Sequence, residues 1–144
     1  PICPDAAPLV LEIAKTADDP TAKLVSLRGY FWIAGRSTLT REQRSEICRT
    51  AGPLVDRTDL RRILLSVMTT LPDASLFEVM MPILDDPSVR SESLATMTKL
   101  VAWTGKRQVP LARAALEKLL KVAADDPPTV KQAQELLDKV NAIK

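Results

Sequence analysis

The chain has 144 residues, 46% of them apolar, and a net charge of +2 from 20 basic and 18 acidic side chains. That apolar fraction excludes a disordered chain, and the length suffices for one domain with a core of its own. Mean hydropathy is zero and no run approaches the roughly 20 apolar residues a spanning helix needs, so no membrane insertion is expected; the balanced charge argues against a polyanion partner.

Glycine is scarce and only five residues are aromatic, which favours helices over strands. Asp5 to about Ala17 reads as the first helix, with Leu9, Val10, Ile13, Ala14 and Ala17 at helical spacing and Asp5 as its N-cap. Asp19 caps a second helix, with Pro20 at its first position; it runs to about Ala34 and stops at Gly35. Thr40-Arg41-Glu42-Gln43 is a capping box that opens the third, which Gly52-Pro53 bends or ends. The fourth begins near Asp56, carries Leu60, Ile63, Leu64, Val67 and Met68, and stops before Pro72. Asp73 caps the fifth, with a kink expected at Pro82. The sixth follows Asp86-Pro87 and ends at Gly105. The seventh covers about Val109 to Ala123 and the eighth about Pro128 to Ile143.

Short connectors join the eight into four antiparallel pairs, about 5–35, 40–71, 73–105 and 108–143. The punctuation recurs: Asp18-Asp19-Pro20, Asp85-Asp86-Pro87 and Asp125-Asp126-Pro127, with a degraded version at Asp56-Arg57-Thr58. Asp19, Asp56, Asp86 and Asp126 thus read as structural caps at the heads of the second helices, 37, 30 and 40 residues apart. A basic residue a few positions on, such as Lys23 or Arg90, can pair with an acid of the same or the next unit and hold the spacing.

The string Asp86-Pro87-Ser88-Val89-Arg90 with Leu94 and Ala95 resembles the HEAT repeat, and the resemblance extends over essentially the whole chain. It implies an all-α, right-handed α-solenoid of about four helix pairs acting as a non-catalytic scaffold or protein-interaction module. Leu24-Val25-Ser26-Leu27-Arg28-Gly29-Tyr30 looks like a bacterial subgroup, often found in larger exported proteins of planctomycetes, so an exported or periplasmic setting is expected over a cytoplasmic one. Because the chain opens at Pro1, a piece of a longer protein is expected, continuing at its less polar N-terminal end. The expected partner is a protein or neighbouring repeats of the same polypeptide. A nucleic-acid-binding solenoid is the alternative, since Arg36, Arg41, Arg44, Arg49, Arg57, Arg61 and Arg62 form a basic stretch; Glu42, Glu46, Asp56 and Asp59 interleave with it and favour a salt-bridged face.

Chemistry is hard to find in these residues. Histidine is absent, which removes the commonest general base and metal ligand. There is no zinc spacing and no glycine-rich phosphate loop. Cys48, beside Ile47, reads as a small buried apolar residue. No enzyme activity, cofactor or metal is expected. The distinctive surface feature is Tyr30-Phe31-Trp32. Aligning Asp19 with Asp86 sets Tyr30 against Met97, Phe31 against Thr98 and Trp32 against Lys99, with Leu24 and Val25 against Ser91 and Glu92. The second helix would then carry a second apolar stripe, Leu24, Val25, Phe31 and Trp32, with Arg28 among them. Either it packs on neighbouring helices or a further repeat, or it is an exposed aromatic–arginine hot spot for a partner, with Trp32 largely exposed.

Overall fold

The computed structural model describes residues 6–35, 38–104 and 106–143. Among these residues all regular structure is helical, and there is no strand. The α-helices are α1 (Ala7–Thr16), α2 (Pro20–Ala34), α3 (Arg41–Ala51), α4 (Thr58–Met68), α5 (Leu76–Ile83), α6 (Arg90–Thr104), α7 (Val109–Val122) and α8 (Pro127–Asn141). Short 3₁₀ turns at Gly52–Leu54 and Pro87–Val89 follow α3 and lead into α6.

The helix starts obey local chemistry. Asp19 accepts the Thr21 N–H at 3.0 Å, Asp86 the Ser88 N–H at 2.9 Å and Asp126 the Thr129 N–H at 3.4 Å, each with proline at the first position. These aspartates fill orphan donors at the positive helix end, and proline has no N–H to waste there. Both bonds of the Thr40–Gln43 capping box are present. Asp73 does not cap α5 as expected: it accepts the N–H and hydroxyl of Ser75 in the turn before the helix, and Ser75 is the N-cap residue, without a side-chain cap bond. Asp56 departs from expectation. The chain is extended at Arg57, α4 begins only at Thr58, and Arg57 is its N-cap residue without a side-chain cap bond. The acid therefore falls one residue too early to cap. The expected cap Asp5, and the expected stop Gly105, lie outside the described residues, as do Arg36 and Cys3. Gly35 ends α2 without a left-handed turn, at φ −77°. Pro82 sits in the last turn of α5, one residue before its end.

Each helix packs against the next within the expected pairs, most extensively α1 on α2 and α7 on α8. Between pairs, α2 packs on α4, α4 on α6 and α6 on α8; on the other side α3 packs on α5 and α5 on α7. The buried residues form one cluster from Ala14 to Val140, with Leu27, Ile33, Leu64, Leu65, Met68, Phe77, Met80, Met97 and Leu116 in its interior. Apolar burial of this extent supplies most of the stability.

Candidate functional site

Because α2 carries the predicted stripe, its faces decide what the first pair can do. Val25 is 63% exposed, Trp32 is 46% exposed and Arg28 is exposed. Spaced three and four apart, the three lie along one side of the helix. Phe31 does not join them: it is 1% exposed and belongs to the core, beside buried Tyr30. Its expected exposure came from Thr98, but α3 packs on α2, whereas α7 makes no comparable contact with α6. The Arg44 guanidinium marks the approach of α3, donating to the Ala34 carbonyl at the end of α2 at 2.6 Å. Leu24 is half-buried and turns the other way, into a shallow groove with Pro20, Lys23, Asp56, Arg57 and Leu60. The candidate surface therefore contracts from five residues to Val25, Arg28 and Trp32. Exposed Leu9 and Ile13 add apolar area on α1 of the same pair.

The aspartates at the helix heads are joined to the preceding even-numbered helix by cations. Lys23 Nζ on α2 meets Asp56 Oδ2 at 3.0 Å, Arg61 Nη1 on α4 meets Asp86 Oδ2 at 2.9 Å, and Arg90 Nη1 on α6 meets Asp125 Oδ1 at 3.1 Å. Each cation stands four residues past an N-cap: Asp19, Arg57 and Asp86. The middle rung is the best covered. Asp86 exposes 9% of its side chain, and its Oδ2 also accepts the Thr58 hydroxyl at 2.8 Å. Burial opposes ionisation of Asp86, but the bonds from Thr58, Ser88 and Arg61 outweigh it and hold its carboxyl below the usual range.

A second ionic cluster includes the salt-bridged face expected of Glu42 and Glu46 and extends beyond it. Arg49 on α3 donates to Glu42, Glu46, Asp73 and Ser75 at 2.7–3.1 Å. Burial works against the Arg49 charge, yet bonds to Glu46 and Glu42 and the field of Asp73 raise its pKa still further. Asp73, although partly buried, is lowered by bonds from Ser75 and Ser45 and by the Arg49 charge. Beside this cluster lies an open groove of about 520 Å³, whose wall includes Arg41, Ser45, Arg107 and Gln108. Partners 24 and 26 residues away, on a connecting loop, leave no periodic signal for such a hub.

Most arginines of the basic stretch are likewise engaged. Arg44 bonds Ala34 and Thr70, Arg57 meets Asp59, and Arg62 reaches Glu92 and the Ser88 carbonyl. Cys48 is fully buried, and burial pushes its thiol up to about 12, which keeps it protonated and unreactive at neutral pH. Among the described residues no three acids or thiols converge closely enough to hold a metal ion, and no helix is long and apolar enough to cross a membrane. Comparison with family models, with curated proteins and with solved structures finds no match.

Proposed function

We propose that the chain is a non-catalytic scaffold: a right-handed α-solenoid of about four HEAT-like helix pairs that offers its outer helix faces to a protein partner or to neighbouring repeats of the same polypeptide. The observation that carries this reading is the series of three cation–acid rungs, each built from the same position of one even-numbered helix and the head of the next. Units joined by a repeated contact to the nearest neighbour form an array, and arrays present surface. The chemistry points the same way. The Cys48 thiol is buried, and Asp19, Asp86 and Asp126 are occupied with backbone N–H groups. The Val25–Arg28–Trp32 side of α2 offers a partner the mixture of aromatic, apolar and guanidinium groups that binding hot spots favour.

Removing residues 108–143 tests the reading. In an array each unit leans only on its neighbours, so the remaining helices keep their far-UV signal and unfold cooperatively at lower urea. A remainder without cooperative unfolding would mean a closed bundle and end the proposal. The surface role predicts that Val25→Ser with Arg28→Glu leaves the unfolding midpoint of the whole chain in place, as expected of residues that serve contact with another molecule.

A further inference from the structure

The even-numbered helices share a common frame when residues are counted from the N-caps Asp19, Arg57, Asp86 and Asp126. Four residues on, Lys23, Arg61 and Arg90 point toward the following helix, as their ion pairs show. Position six turns back: Glu92 on α6 takes Arg62 of the preceding α4 at 3.1 Å. Positions three and seven behave accordingly. They are buried in α4 (Leu60, Leu64), in α6 and the 3₁₀ turn that leads into it (Ser93, Val89) and in α8 (Thr129, Ala133), each of which has an even-numbered helix before it. In α2 the same positions, Ala22 and Ser26, are only half-buried, and position six, Val25, is exposed. The charges match. Asp56, Asp86 and Asp125 each meet a cation from the preceding helix, whereas Asp18 and Asp19 at the head of α2 have no ion pair among the described residues.

We infer that this side of the first pair, Ala22, Val25 and Ser26 with Asp18 and Asp19 at its head, docks a further helical hairpin whose second helix carries Lys or Arg four residues past its N-cap. The inference rests on the stacked-hairpin reading above and names the partner's chemistry. The cation closes a fourth rung onto the acids, as Arg61 does on Asp86. Ala22 and Ser26 are small, so an incoming helix seats close to the α2 backbone. Ser26 occupies the position of Ser93, which is buried on α6, the helix that α4 packs against, so the chain's own α3–α4 hairpin is a suitable probe.

A second copy of residues 40–71 is placed ahead of the intact chain through a short Gly-Ser linker, and urea unfolding is followed by circular dichroism. The expected result is one transition, shifted to higher urea by about 0.5 M or more, with the shift lost when Arg61→Ala is made in the added copy alone. An added hairpin that melts separately and leaves the host midpoint unchanged overturns the inference. So does a shift that survives that Arg61→Ala change, since adhesion without the rung is not the proposed docking. Sedimentation of the unextended chain as a dimer that Val25→Glu dissociates would make a second copy the occupant, which also overturns it. The host's response to removal of residues 108–143 is independent of all three outcomes, so failure here is distinguishable from failure of the array itself.

Discussion

Asp86→Ala removes the most heavily used side chain in the ladder. Its carboxylate accepts the Ser88 N–H at 2.9 Å, the Thr58 hydroxyl at 2.8 Å and the Arg61 guanidinium at 2.9 Å, with only 9% of the side chain exposed. Loss of the cap costs about 1 kcal/mol and loss of the Thr58 bond about 1 kcal/mol. The Arg61 pair adds about 1 kcal/mol, taken at the low end because the Arg61 side chain is a quarter exposed and its charge can rehydrate. The total is about 3 kcal/mol. Asp86→Asn keeps one acceptor for the cap and loses the charge, so it should cost about half as much. Asp56→Ala is the control. That side chain is 64% exposed and, among the described residues, caps nothing and holds only Lys23, so less than about 0.5 kcal/mol is expected. Urea denaturation at pH 7, followed at 222 nm, separates the two. An Arg61→Ala, Asp86→Ala double-mutant cycle should return a coupling near 1 kcal/mol. If Asp86→Ala and Asp56→Ala agreed within about 0.5 kcal/mol, the distinction between capping and merely bridging acids would be refuted.

Four further outcomes follow from single features. Asp73 and Asp86 both have folded-state pKa values below the ordinary one. Their stabilisation is therefore complete above an unfolded value of about 4 and is lost as pH falls through the lower folded values; the urea midpoint should drop as pH falls below about 4, less steeply in Asp86→Asn. At Gly52 an added Cβ would lie 2.8 Å from Val79 Cγ1, so Gly52→Ala should destabilise by about 1 kcal/mol net despite its better helix propensity, and Val79→Ala should restore the loss. In a Cys3→Ser background the Cys48 thiol should resist a disulfide reagent at pH 8 until urea unfolds the chain; prompt reaction would contradict its burial. In a Trp103→Phe background Trp32 should show intermediate acrylamide quenching, and full protection would remove it from any surface role.

What the sequence revealed was local. Capping boxes and Asp-Pro starts concern donors and acceptors within four residues of each other, so Thr40, Asp19, Asp86 and Asp126 could be read without a structure. Asp56 could not, because the chain stays extended through Arg57 and the helix starts only at Thr58. The stripe on α2 was half legible. Val25 and Trp32 are exposed as their alignment with Glu92 and Lys99 suggested, but Phe31 is buried, because the coverage of a helix depends on which neighbour crosses it and not on its own period. The ladder was legible as a possibility through the basic residue four places past the cap, while the partner of each cation is settled by packing over 25 to 35 residues. The Arg49 hub was half legible: Glu42 and Glu46 lie within two turns of Arg49 on α3 and read as a salt-bridged face, while Asp73 and Ser75, on the loop before α5, left no signal.

The cations of this protein do more than bridge acids. Arg90 holds Asp125 with one nitrogen and the Val122 carbonyl at the end of α7 with another, at 2.7 Å. Lys118 holds Asp85 and the Met81 carbonyl, and Arg44 the Ala34 carbonyl at the end of α2. Each places positive charge where helix carbonyls are left without partners and the dipole is negative. Arg90 thereby spans the end of one helix and the head of the next, and fixes both relative to α6. Apolar burial alone is indifferent to direction, since Leu and Met side chains pack in many registers. A guanidinium with two fixed acceptors is not indifferent, because one turn of slippage would leave a carbonyl and a carboxylate unmatched. The ionic contacts therefore do more than add stability at covered acids such as Asp86: they favour one register over its neighbours, which is what the proposed stack of hairpins needs if its exposed side chains are to stay in a fixed order.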